Sequence, residues 1–100
     1  MPHRAPRLDI WLLDTDWRPI GRVEGDAPWR MVVAHSIRLQ SRWLRLEQAR
    51  DRRDPPRPLP ADIALTRTLR RRLRPLGIDL ADHLIRHGDA TFSFRANRLL

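Results

Sequence analysis

Residues 61–100 read ADIALTRTLRRRLRPLGIDLADHLIRHGDATFSFRANRLL, and this stretch decides the fold of the chain. Four leucines recur at steps of four, four and three residues, a spacing that places them on one face of a helix. They are Leu65, Leu69, Leu73 and Leu76. Ile63, Thr66 and Arg70 lie beside this stripe, whereas four arginines lie off it and are expected to stay in water. These are Arg67, Arg71, Arg72 and Arg74.

The helix has clear signals at both ends. Pro58 and Pro60 precede it, and Asp62 is placed to cap or charge its first turn. Pro75 cannot continue the hydrogen-bond ladder, and Gly77 supplies a left-handed stop. Past this stop, apolar residues over 78–85, a turn at 87–89 and the alternation at 92–94 predict a strand, a turn and a strand.

The N-terminal half predicts a hairpin and a helix. Apolar residues over 8–13 and 17–23, with turn residues between them, indicate two strands. Pro28 can open a helix that fades near residue 40. Residues 42–48 alternate imperfectly, so they predict either a strand or the tail of that helix, and the proline-rich residues 49–60 predict a loop.

The composition fits one small domain. One hundred residues can bury a single core, and 41% of them are hydrophobic. The chain contains no Cys, which excludes disulfides and thiolate metal sites. There is no apolar run long enough to cross a membrane, and the start lacks the apolar core of an export signal. We therefore expect a cytoplasmic protein.

The net charge is +8, and all 20 basic residues are Arg. This positive charge favours binding of polyanions, and the planar guanidinium group of Arg is well suited to contact phosphate. The arginines spread along the whole chain, however, and complete replacement of Lys by Arg is also what a GC-rich genome produces. Weak nucleic-acid binding is therefore one prediction, and a purely compositional charge is the other. The candidate contacts are Arg50, Arg52, Arg53, Arg70, Arg71 and Arg72.

The C-terminal stretch resembles the RadC-type JAB domain, a family also called MPN or JAMM that includes zinc metallopeptidases. The matching residues are Asp62-Ile63, Thr66, Leu69, Leu76-Gly77-Ile78, Asp82-His83-Leu84-Ile85, Ser93-Phe94 and Leu99-Leu100. The resemblance implies an α/β fold, a cytidine-deaminase-like sandwich with a mixed sheet of about five strands and two main helices. It also implies a JAB domain over 8–100, without the helical domain that precedes it in RadC proteins, which carry a bacterial DNA-repair label. Residues 1–7 contain two Pro and two Arg and predict a flexible arm.

In that family, the metal loop reads HNHPSGDPxPSxxD, in which two His and one Asp hold zinc. Without gaps, the two His positions fall on Ala49 and Asp51, and the Asp position falls on Asp62. The loop Ser position falls on Leu59, and the position of the catalytic Glu falls near Pro6. Two carboxylates without imidazole make a poor zinc site, so the resemblance implies a degenerate metal centre at Asp51 and Asp62.

Two histidines are alternative ligands. His35, in Ala34-His35-Ser36, resembles the start of the metal loop, but using it requires two large gaps, and a packing or surface role on a helix is the competing interpretation. Asp82-His83 suggests an acid–base pair. Neighbouring strand residues point to opposite faces, which favours hydrogen bonding of His83 within the sheet instead.

Three functions remain open from the sequence. The first is a catalytically inactive RadC-like domain that binds an unknown protein partner or pairs with itself, without a cofactor. The second is a divergent metal-dependent hydrolase that takes zinc through a ligand set with His35 or His83. The third is a small nucleic-acid-associated protein related to DNA repair.

Overall fold

The computed structural model describes residues 7–51, 53 and 57–100. Eight elements follow one another within these residues. They are β1 (Leu8–Leu13), β2 (Pro19–Glu24), α1 (Trp29–Arg38), β3 (Trp43–Ala49), α2 (Pro60–Leu73), a 3-10 turn (Arg74–Leu76), β4 (Asp79–His87) and β5 (Ala90–Ser93). Residues 42–48 are therefore resolved in favour of a strand, and residues 1–6 of the expected arm lie outside the described part of the chain.

The strands form one mixed sheet in the order β2-β1-β3-β4-β5. Only β3 and β4 pair in parallel, while the other neighbours are antiparallel. Parallel neighbours need a crossover, and α2 supplies it between β3 and β4. The predicted α/β class, with a mixed sheet of five strands and two main helices, is confirmed.

Both helices pack on the same face of the sheet. Ile10 and Leu12 of β1 pair with Leu46 and Leu44 of β3, and the side chains of this row face the helices. Val32 of α1 and Leu73 of α2 join the same buried cluster. Burial of these aliphatic side chains supplies most of the stabilising free energy of such a small domain.

The inward stripe of α2 differs from the predicted leucine stripe. Asp62, Thr66 and Leu73 are the buried residues of this helix, and Leu65 is only half-buried. Leu76 lies beyond the helix in the 3-10 turn and is 50% exposed. The leucine spacing located the helix correctly, but its buried face is rotated toward two polar residues.

The ends of α2 follow local rules. Pro60 is the first helical residue rather than one that precedes the helix, as suits a residue with no N–H to place. Asp62 Oδ2 accepts a hydrogen bond from the backbone N–H of Leu59 at 2.7 Å, and so satisfies one orphan donor of the first turn. Gly77 has φ of 73° after the 3-10 turn, which confirms the left-handed stop.

The sheet face opposite the helices carries a paired polar layer. Trp11 Nε1 donates to Glu47 Oε2 at 2.7 Å, and Arg86 Nη2 donates to Glu47 Oε1 at 2.8 Å. The guanidinium groups of Arg22 and Arg45 lie 6.0 Å from the Trp11 ring centroid.

No helix among the described residues is long and apolar enough to span a membrane.

Candidate functional site

Three elements bring polar side chains together beneath the first turns of α2. Leu46 of β3 pairs with His83 of β4, so the side chain of Gln48, two residues further along β3, points to the same face. Asp62 and Thr66 lie one helical turn apart on α2 and point back at that face. We use the name polar cluster for Gln48, Arg50, Asp62, Thr66 and His83.

Asp62 uses both carboxylate oxygens within this cluster. Its Oδ2 accepts from Arg50 Nη2 in a buried ion pair and from the Leu59 N–H. Its Oδ1 accepts from Gln48 Nε2 at 3.3 Å. The side chains of Arg50 and Asp62 are only 2% and 8% exposed. Charge-assisted hydrogen bonds of this kind are roughly twice as strong as neutral ones.

Two opposing effects act on the Asp62 carboxyl. Burial alone raises its pKa, because the charged form loses hydration. The hydrogen bond from Arg50, the backbone N–H of Leu59 and the nearby positive charge act in the other direction and leave the pKa below its ordinary value. Asp62 is therefore a carboxylate at neutral pH, with the Arg50 guanidinium as its cation.

Arg50 is anchored from three sides. Its backbone N–H donates to the carbonyl of Arg86 at 2.7 Å, which extends the β3–β4 pairing past the end of β3. Its Nη1 donates to the carbonyl of Arg57 at 2.9 Å, and its Nη2 donates to Asp62. Arg50, which the sequence offers as a candidate nucleic-acid contact, is buried and paired with Asp62.

His83 lies on β4, between β3 and the edge strand β5, and is fully buried. Its Nδ1 lies 2.7 Å from the Thr66 hydroxyl, and its Nε2 lies 3.2 Å from Gln48 Oε1. Because the Gln48 amide nitrogen already donates to Asp62, its oxygen accepts from His83, which places the proton on Nε2 and makes Nδ1 the acceptor from Thr66. The ring also stacks on Phe94, with centroids 4.3 Å apart.

Burial lowers the pKa of His83 to about 4. The charges of Asp62 and Asp82 raise this pKa, and Arg50 lowers it, but loss of hydration is the largest effect. The imidazole is therefore neutral at physiological pH, and both of its nitrogens are engaged by protein groups.

The Asp82 carboxylate accepts from the backbone N–H of His83 at 2.7 Å but makes no described hydrogen bond to the His83 ring. Its Oδ2 accepts from the Ser93 hydroxyl at 2.6 Å, and its Oδ1 accepts from the backbone N–H of Arg95 at 3.0 Å. The two side chains of the Asp82-His83 pair thus lie on opposite faces, as the strand geometry predicts. Asp82 orders the turn after β5, while His83 belongs to the polar cluster.

The remaining predicted metal residues, Asp51 and His35, make hydrogen bonds to residues outside this cluster. Asp51 Oδ1 accepts from the backbone N–H of Arg53 at 3.0 Å, in the segment that follows β3. His35 lies half-buried on α1, where its Nδ1 lies 2.6 Å from Arg38 Nη2. Over residues 7–51, 53 and 57–100, no three His, Cys, Asp or Glu side chains are grouped to hold a metal ion.

The other predicted nucleic-acid contacts divide into two groups. Arg70 is half-buried and binds both carboxylate oxygens of Asp79, at 3.0 and 3.1 Å. Arg53, Arg71 and Arg72 are exposed. Arg52 lies outside the described residues.

A model of the RadC-like JAB domain matches residues 27–99, which span α1, β3, α2, β4, β5 and the C-terminal turn. The chain belongs to the RadC-like JAB domain family. The match contains the whole polar cluster and confirms the family resemblance. None of the curated proteins compared with the chain matches it.

The sequence of this RadC-like JAB domain did not reveal the buried roles of Gln48, Arg50 and Thr66. Arg50 was predicted only as a candidate nucleic-acid contact, and Thr66 only as a residue beside the leucine stripe that matches the family. Gln48 had a readable signal, because it continues the inward alternation of Leu44 and Leu46. Arg50 had none, since its neighbours form a polar, arginine-rich run that is typical of a solvated loop.

Proposed function

We propose that this RadC-like JAB domain has lost metal catalysis and acts by binding another protein chain. The observation that carries the proposal is the buried ion pair between Arg50 and Asp62. Asp62 stands at the one metal-ligand position of the family pattern that keeps its residue type. In this chain, that carboxylate faces a guanidinium instead of an open space.

The chemistry of the donors supports loss of the metal. Zinc in a catalytic site takes three protein ligands, commonly imidazoles with a carboxylate, and keeps one position for water. Ala49 offers no lone pair, and Asp51 replaces an imidazole with a hard oxygen donor. His83 is the imidazole within the cluster, and both of its nitrogens are engaged by Thr66 and Gln48. These residues do not fit a zinc ion, and we derive no hydrolytic step from them.

Electrostatics also favour this proposal. A divalent cation next to Asp62 would lie beside the Arg50 guanidinium, and like charges at such short range in a buried site repel strongly. Arg50 cannot relieve this repulsion by losing its proton, because a guanidinium stays charged in proteins. Metal entry would require the Arg50 side chain to leave a position held by Asp62 and the carbonyl of Arg57.

The binding role rests on the exposed parts of the sheet. β2 is an edge strand, and an edge strand can pair with a strand of another chain. Ile20 on this strand is 41% exposed, which adds an apolar contact at the edge. The proposal therefore includes a second copy of this chain or another protein at β2, with the cytoplasm as the compartment.

Elemental analysis of zinc tests the loss of metal catalysis. Protein is incubated with excess zinc, desalted, and compared with the Asp62→Asn and Asp51→Asn variants. We expect far less than one zinc per chain in all three, and no hydrolysis of peptide or isopeptide substrates above buffer. Stoichiometric zinc in the wild type that is lost in either variant would overturn the proposal and favour the divergent hydrolase. Circular dichroism establishes that each variant is folded.

Sedimentation at two concentrations tests self-association, and Ile20→Lys is the variant at the edge. We expect the wild type to shift to a larger species at high concentration and the variant to remain at the smaller one. Ile37→Lys is the matched control, since Ile37 is an exposed apolar residue that belongs to α1 and not to the edge strand. Concentration-independent monomers would remove the second copy as the partner.

A further inference from the structure

The solvent side of α2 carries a row of arginines that the proposed function does not use. Arg67, Arg71 and Arg74 recur at steps of four and three, which places them along one stripe of the helix and its 3-10 extension. All three are exposed. With Ala64 and Thr68 they line an open depression of about 500 Å³. We call these three residues the arginine row.

Within the described part of the chain, no acidic side chain neutralises the arginine row. Among the described residues, no carboxylate lies within ion-pair distance of any of its three guanidinium groups, and Arg74 acts on Asp79 only through space. Other arginines of the chain differ in this respect. Arg50 is paired with Asp62 and Arg70 with Asp79.

The shape and chemistry of the row identify its ligand. The seven steps from the first to the last arginine span roughly 10 Å of helix, which equals about three rises of about 3.4 Å along one strand of a duplex. This length lets the three guanidinium groups reach separate phosphates. The guanidinium fork binds phosphate oxygens in two-point contacts. The residues that line the depression include no aromatic ring, so there is no platform on which an unpaired base could stack. The net charge of +8 favours approach of a polyanion.

We propose that the arginine row binds the phosphate backbone of a nucleic-acid duplex, without reading its bases. The row is separate from the polar cluster, because it lies on the opposite side of α2. The ligand is a duplex of any sequence. Arg67, Arg71 and Arg74 each contact one phosphate.

Salt dependence of duplex binding tests this proposal. A labelled duplex oligonucleotide is titrated with the protein by fluorescence anisotropy at several salt concentrations. Three phosphate contacts on a duplex give a slope of log affinity against log salt of about −3. Each of Arg67→Ala, Arg71→Ala and Arg74→Ala should reduce the steepness by about 1, and the triple variant should abolish most of the binding.

Arg72→Ala is the matched control. Arg72 is exposed on the same helix, but it lies about 100° around the axis from Arg71, outside the row. This variant removes the same charge and should keep the wild-type slope. If Arg72→Ala weakens binding as much as Arg71→Ala, net charge alone explains the affinity, and the row is overturned as a site. No detectable duplex binding at low salt overturns it as well.

Vesicles separate a nucleic acid from a membrane surface. The same proteins are mixed with vesicles of phosphatidylserine and phosphatidylcholine and sedimented. Binding to these vesicles with none to the duplex would overturn the proposal in favour of an anionic lipid surface.

Arginine-to-alanine changes on an exposed helix face favour helix formation slightly, so the variants should keep the unfolding midpoint of the wild type. The zinc measurement is independent of all these outcomes.

Discussion

The two sides of α2 handle charge in opposite ways. On the inward side, Asp62 and Thr66 are buried, and each has a partner on the sheet or in the segment after it. On the outward side, Arg67 and Arg71 are exposed and no described carboxylate pairs with them. One helix of 14 residues thus carries both a satisfied internal network and an unneutralised cationic surface.

The difference has a simple physical origin. A buried ionised group loses its hydration, so it persists only when other protein groups replace the water. The Asp62 carboxylate meets this condition through Arg50, Leu59 and Gln48. An exposed guanidinium keeps its water and needs no protein partner. The inward side should therefore govern stability and the outward side should govern association with anions.

Removing Asp62 should have the largest effect on stability. Asp62→Ala leaves the Arg50 guanidinium buried without a counter-charge, which costs about 3–5 kcal/mol in comparable buried pairs. The matched variant is Asp79→Ala, which breaks the ion pair between Arg70 and Asp79. In this pair the Arg70 side chain is 25% exposed and the Asp79 side chain is 32% exposed. That pair should contribute about 1 kcal/mol or less. Urea unfolding measures the loss of unfolding free energy in each variant. Equal losses would contradict the distinction between the buried pair and the half-buried pair.

Acid should destabilise the fold in a window set by His83. Its pKa falls from 6.5 to about 4 on folding, so the unfolded chain binds a proton in that range that the folded chain does not. The contribution of His83 to the free energy of unfolding is complete above pH 6.5. It decreases by up to about 3 kcal/mol as the pH falls from 6.5 toward about 4. The lowered pKa of Asp62 adds a further loss below 3.8.

The His83→Phe variant isolates this contribution, because phenylalanine can keep the stack on Phe94 but does not titrate. The readout is the slope of unfolding free energy against pH, not its absolute value, since the variant also loses two hydrogen bonds. We expect a flatter slope between pH 6.5 and 4. His35→Ala is the control for loss of an imidazole elsewhere. A His83→Phe slope equal to that of the wild type would disprove the assignment.

A smaller effect should follow from removing one hydroxyl. Thr66→Val keeps the shape of the side chain but leaves His83 Nδ1 without its donor, at a cost of about 1–3 kcal/mol. Thr68→Val makes the same change in the depression beside the arginine row and should stay within about 0.5 kcal/mol. Thermal unfolding of the two variants compares the sides of α2 directly. A loss in Thr68→Val as large as in Thr66→Val would remove the contrast.

Local patterns predicted most of the fold. The hairpin, both helices and the final strands each carry their own periodicity and turn residues, and these were found in the predicted order. The strand at 43–49 was ambiguous, because Arg45 and Glu47 alternate with Leu44 and Leu46 in a way that a helix tail also permits. Pairing with β1 on one side and β4 on the other decides it, and such pairing is not visible in a single local stretch.

The polar cluster was harder to predict, because its contacts join distant parts of the chain. Arg50 and Asp62 are 12 positions apart, and Gln48 and His83 are 35 apart. The crossover through α2 brings them together, and nothing in the local composition of the arginine-rich segment marks one guanidinium as buried. The leucine spacing also misplaced the buried face of α2, since a leucine pattern gives no weight to a polar residue that finds an internal partner.

The tethering of Arg50 has a consequence for how this fold depends on its surroundings. A cation taken up from solution stabilises a protein by an amount that grows with the logarithm of the ratio between its concentration and its dissociation constant. The guanidinium that neutralises Asp62 is covalently part of the chain, so its local concentration is fixed by a short loop and never diluted. The countercharge is present as soon as the polypeptide is made, whatever the ionic supply of its environment.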